Sequence, residues 1–150
     1  MNSDFKDLLA AFNASGVDYL VVGAHALAAH GHVRATKDLD VWVRPSSDNA
    51  RLIWSALVSF GAPLDGLSIE DFAGPGIVFQ IGVAPVRIDI ITSIDGVEFD
   101  EAWLERVSVA LGDLTVGVLS RRHLIVNKRT AGRLQDLADV ERLEAQAESE

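Results

Sequence analysis

The run Arg34-Ala-Thr-Lys-Asp38-Leu-Asp40-Val-Trp-Val43 constrains this chain more than any other stretch. Read as a β-strand, with side chains alternating between faces, it sets Leu39, Val41 and Val43 on one side and Asp38, Asp40 and Trp42 on the other. Two carboxylates on one face repel each other, and ionising both calls for a cation between them. A hard, oxygen-seeking metal such as Mg²⁺ is the economical reading. A second stretch, Val86-Arg-Ile-Asp89-Ile-Ile91, repeats the pattern: Val86, Ile88 and Ile90 form the buried alternation and Asp89 falls on the opposite face. On adjacent strands the three acids make a metal cradle. The plainer alternatives are solvated strand acids at Asp38 and Asp40, and an Asp89 that pairs with Arg87 or a neighbouring strand residue.

At 150 residues, 49% of them apolar, the chain has the size and hydrophobicity of one globular domain. The absence of cysteine excludes disulfides and thiolate zinc sites and suits a reducing interior. The start Met1-Asn-Ser-Asp-Phe-Lys lacks the plan of a signal peptide, and no apolar run approaches the ~18 residues of a membrane span. The expected location is the cytoplasm, with no membrane partner. A net charge of −9 argues against coating nucleic acid by bulk electrostatics. Even so, Arg121, Arg122, Lys128, Arg129 and Arg133 lie close together, and a local basic wall beside an acidic site is compatible with that balance.

Along the chain, Phe5, Leu8, Leu9 and Phe12 repeat at helical spacing, so residues 4 to 14 read as an amphipathic helix with Ser3 as cap and Gly16 as stop. Tyr19 to Val22 reads as a strand ending at Gly23, and the alanine-rich Ala24 to His30 as a helix. After the aspartate strand, Leu52, Ile53, Ala56, Leu57 and Phe60 form the stripe of a second amphipathic helix. A short helix is expected around Ile69 to Phe72, then a hairpin of Ile77–Ile81 and Val86–Ile91 turning at Gly82 to Pro85. A short helix at 98–104 and a hairpin of 107–111 with 114–119 follow. Two helices close the chain, one from Arg121 to Thr130 and one burying Leu134, Leu137, Val140 and Leu143, before an acidic tail over 142–150 that frays. The fold class is α+β: a single domain with a mixed sheet flanked by helices and a C-terminal helical pair.

A strand ending in Gly23, a helix start, Asp38-x-Asp40 and a later lone Asp89 resemble, in that order, the polymerase-beta-type nucleotidyltransferase superfamily. Arg34-x-Thr36-x-Asp38-x-Asp40 and the run Lys128, Arg133, Asp136, Asp139 are similar to its small bacterial members, including the abortive-infection toxin branch. The resemblance spans about Val17 to Leu143. It implies two Mg²⁺ ions held by Asp38, Asp40 and Asp89, and a nucleoside triphosphate as substrate. It further implies transfer of a nucleotidyl group to a hydroxyl, on an RNA or tRNA end or on a partner protein. A small helical partner, as in toxin–antitoxin pairs, is a further implication.

In this reading Gly23 lets the backbone approach phosphate, and Ala24 opens the helix where the family often carries glycine or serine. Arg34 and Lys37 either contact phosphate or neutralise Asp38 and Asp40. Lys128 and Arg133 either reach the triphosphate or form a helix-end salt bridge with Asp136. His25, His30 and His32 read as surface or packing residues, and the three tryptophans as core or groove aromatics. The competing expectation is a catalytically silent domain of the same fold that binds a nucleotide or a partner protein.

Overall fold

The computed structural model describes residues 2–33, 38–83 and 86–149. In chain order the elements are α1 (Ser3–Ser15), β1 (Tyr19–Val22), α2 (Gly23–Ala29), β2 (Asp38–Val43) and α3 (Ser47–Phe60). A 3₁₀ turn (Ile69–Phe72), β3 (Val78–Val83), β4 (Val86–Ile91), α4 (Phe99–Leu104), β5 (Val107–Leu111), β6 (Leu114–Val118), α5 (Arg121–Ala131) and α6 (Leu134–Ser149) follow. The strands form one sheet in the order β3-β4-β2-β1-β6-β5. It is mixed, as expected: β2 runs parallel to β4 and antiparallel to β1, and β1 runs parallel to β6.

Both faces of the sheet centre are covered, which is why Trp42 is buried although it shares a face with the acids. Its ring meets Phe99 of α4 edge-on at 5.0 Å, so α4 lies on the acid-bearing face. Tyr19, one residue out of phase with Leu20 opposite Trp42, meets Phe12 of α1 at 5.6 Å on the other face. α1 packs on α3 there. Buried Asn49 ties the start of α3 to the sheet: its Oδ1 accepts from the Asp18 N–H at 2.8 Å, and its Nδ2 donates to the carbonyls of Asp18 and Arg44, both at 3.0 Å.

Several boundaries differ from the sequence reading for local reasons. α1 is capped by Asn2, whose side chain accepts from the Asp4 N–H, and Ser3 is already helical. Leu52 lies on the outer side of α3, 39% exposed; the packed face is Asn49, Ala50, Ile53, Ala56 and Leu57. β3 continues through Gly82 and Val83, which pair with Arg87 and Val86.

The largest difference is in α6. Leu134 is 89% exposed and Leu137 half exposed, while Asp136, Asp139, Val140 and Leu143 are buried. Those four sit at i, i+3, i+4 and i+7, so the helix presents a real stripe, rotated so that two carboxylates lie inside it. α6 runs to Ser149. No helix among the described residues is long and apolar enough to cross a membrane.

Candidate active site

The parallel register of β2 on β4 sets Asp38 beside Arg87 and Asp40 beside Asp89. Antiparallel pairing puts Val22, the last residue of β1, opposite Asp40. Paired residues share a sheet face, so all three acids stand on one face, as the alternation in sequence requires. Gly23 follows Val22 with φ +67°, and a Cβ built on it would lie 2.3 Å from Asp40 Oδ2. Both facts demand glycine, because the conformation is one L side chains avoid and the space is already held by a carboxylate oxygen. Ala24 is the partly buried second residue of α2.

The acids are closed upon one another and upon Arg87. Arg87 Nε donates to Asp89 Oδ1 at 3.0 Å, and its Nη2 donates to Asp89 Oδ2 at 3.3 Å and to Asp38 Oδ2 at 3.2 Å. The pairing of Asp89 with Arg87 is therefore realised. Burial pushes the Asp40 carboxyl up to about 6, helped by the charges of Asp89 and Asp38 and by a hydrogen bond with Asp89, while Arg87 pulls the other way.

This gives a pH dependence with a definite sign. A raised folded-state pKa contributes stability that is fully present below the ordinary aspartate value and is lost as pH rises through about 6. We expect Asp40→Asn to stabilise the metal-free protein at pH 7 by about 2 kcal/mol relative to wild type, with that difference vanishing near pH 4. Urea unfolding at the two pH values checks it, and equal differences at both would contradict the coupling of these acids.

A polar cleft of about 250 Å³ opens beside Asp40, with Val22 and Gly23 on one wall and Lys128, Arg133 and Asp136 on the other. Two elements that sequence reading left out, Asn127 and the turn at Ser93–Asp95, complete it. Asn127 Nδ2 donates to the Asp95 carbonyl at 3.0 Å, which holds that turn against α5. A turn at Asp95-Gly96 is legible in sequence, but its destination is not, since it depends on the tertiary contact between that turn and Asn127 of α5.

Lys128 and Arg133 line the same cleft as Asp40, and both are salt-bridged. Lys128 Nζ lies 3.0 Å from Asp139 Oδ2 and 3.5 Å from Asp136 Oδ1, and Arg133 Nε donates to Asp136 Oδ2 at 2.7 Å. Arg34 and Lys37 lie outside the described residues. His30 Nε2 is 2.8 Å from the Leu119 carbonyl and His32 Nε2 is 2.7 Å from Gln146 Oε1, in keeping with packing rather than ligation.

The donor chemistry suits a hard divalent ion, because three carboxylates share a face and Asp40 is desolvated beside two other acids. Among the described residues, however, no group of three or more histidine, aspartate or glutamate side chains is arranged to hold a metal. Arg87 occupies the acids instead.

A search of the curated proteins finds no match to this sequence. Among solved structures, the fold is similar to a crystal structure of a candidate nucleotidyltransferase from Thermotoga maritima. The TM-score is 0.59 at 12% identity, with 97% of this chain and 91% of that chain covered. At that identity the likeness speaks for the fold. The sequence carries the rest: residues 1–150 match the family described as "Nucleotidyl transferase of unknown function (DUF2204)", and the chain belongs to that family.

Proposed function

We propose that the protein is a Mg²⁺-dependent nucleotidyltransferase that moves a nucleoside monophosphate from a triphosphate to a hydroxyl acceptor, with pyrophosphate as the leaving group. The observation that carries this reading is the fit of Gly23 over Asp40, with Asp38 and Asp89 in register on the same face. Asp38, Asp40 and Asp89 are the residues that would hold the ions. Bound divalent ions supply charge neutralisation at the attacking and leaving oxygens of an in-line displacement. Gly23 keeps the strand end free of a side chain where phosphate approaches. Lys128 and Arg133, on the far wall of the cleft, orient the anionic triphosphate, and Asp89, the most buried of the three acids, receives the acceptor's proton.

The acceptor class is an RNA or tRNA end, or a protein side chain. The net charge of −9 favours a short end entering the cleft over a long bound duplex. Incubation with α-labelled nucleoside triphosphate, Mg²⁺ and either total RNA or a protein extract tests the reading. Label is expected in one fraction with wild type and in neither with Asp38→Asn/Asp40→Asn. Label in neither fraction with wild type would count against the enzyme.

A second reading has its own support. Ala24 offers no hydroxyl to phosphate, and Arg87 already bridges two of the acids, as suits a silent domain that binds a nucleotide or a partner. A toxin–antitoxin role belongs with either reading, and a small helical protein encoded beside this gene would favour it.

A further inference from the structure

The acid cluster already contains a cation. The Arg87 guanidinium spans Asp89 and Asp38 through three hydrogen bonds of 3.0 to 3.3 Å, occupying oxygens that a divalent ion would need. A divalent ion on those oxygens would stand close to the guanidinium, and two like charges at such range repel.

We propose that Arg87 is the resident counter-cation of the cluster and that a divalent ion enters by exchange with it, so that the metal-free protein is held in a closed, arginine-bridged form. The inference rests on the reading of Asp38, Asp40 and Asp89 as ion-holding residues. The surroundings permit the exchange. The Arg87 side chain is 34% exposed against 11% for Asp89, so the arginine has a path to solvent that the acid lacks. Its neighbour across the strand pair is Gly82, which has no side chain to obstruct a swing.

The competing arrangement is a supporting one, in which Arg87 stays on Asp89 and orients it for the ion. The two differ in sign. Under exchange, Arg87 weakens metal binding and stabilises the metal-free fold. Under support, it strengthens metal binding.

The test titrates Mg²⁺ by calorimetry into wild type, Arg87→Met and Asp40→Asn, with thermal unfolding of each in the absence and presence of Mg²⁺. Exchange predicts binding about tenfold tighter in Arg87→Met. It also predicts a lower metal-free unfolding temperature that Mg²⁺ restores. Equal or weaker binding in Arg87→Met, with binding still abolished in Asp40→Asn, overturns the exchange and leaves the ion site standing. No binding to wild type, or binding unaffected by Asp40→Asn, overturns the ion site and the exchange with it. Should Arg87→Met fail to fold, wild type supplies its own readout. The Arg87 Nε–H resonance, fixed by its bond to Asp89 in the metal-free protein, is expected to move and lose protection as Mg²⁺ saturates, and its persistence unchanged would overturn the proposal.

Discussion

Lys128→Met is expected to destabilise the protein by about 3–5 kcal/mol, the range typical for removing one partner of a buried ion pair. Lys128 sits in the last turn of α5 with its ammonium between Asp139 and Asp136 of α6, and all three residues are buried. Without the lysine, Asp136 keeps Arg133, whereas Asp139 loses its ammonium partner and keeps the neutral Gln135 amide at 3.1 Å. A buried carboxylate that loses its cation is costly, and protonating it relieves that cost. The loss should therefore shrink at acidic pH, and Lys128→Met/Asp139→Asn should recover part of it at pH 7. Asp136 behaves differently. Burial raises its pKa, but the Arg133 hydrogen bond and charge together with Lys128 outweigh burial and leave it lowered. Its contribution is present above the ordinary aspartate range and fades as pH falls through the lowered value. Urea denaturation of the single and double variants measures these effects, and a loss below about 1 kcal/mol for Lys128→Met would contradict the buried network.

The second large effect is expected at Gly23. In Gly23→Ala the new methyl group would stand 2.3 Å from Asp40 Oδ2, so the carboxylate or the strand end must move. The positive φ adds about 1 kcal/mol of backbone strain on top. We expect a stability loss of about 2–3 kcal/mol and, because Asp40 is displaced by about an ångström, a fall of about 100-fold in any nucleotidyl transfer. Urea unfolding and the labelled-transfer assay read the two separately. A variant with wild-type stability and transfer would show that the close approach of Gly23 to Asp40 has no role.

Much of the architecture was legible because period and punctuation agree: alternation in β2 and β4, helical spacing in α1, and glycines at the ends of α1 and α3. The three acids share a face because a strand's alternation leaves no other choice. What escaped was tertiary. Leu134 and Leu137 have the right spacing for a buried stripe, yet the helix turns Asp136 and Asp139 inward. A buried lysine on the neighbouring helix makes that rotation favourable, and the apolar pattern of α6 alone carries no trace of it. Arg87 was visible beside Asp89, but its reach to Asp38 depends on the parallel register of β4 on β2, which only the assembled sheet supplies.

Calorimetry decides whether Asp38 and Asp40 with the Gly23 turn form a metal-dependent triphosphate site. The four nucleoside triphosphates are titrated, with and without Mg²⁺, into wild type and into Asp38→Asn/Asp40→Asn. Wild type is expected to bind at least one triphosphate only when Mg²⁺ is present, and the double variant, folded by circular dichroism, to bind none. Absence of binding to wild type, or binding that survives without Mg²⁺ or without the two carboxylates, would contradict it.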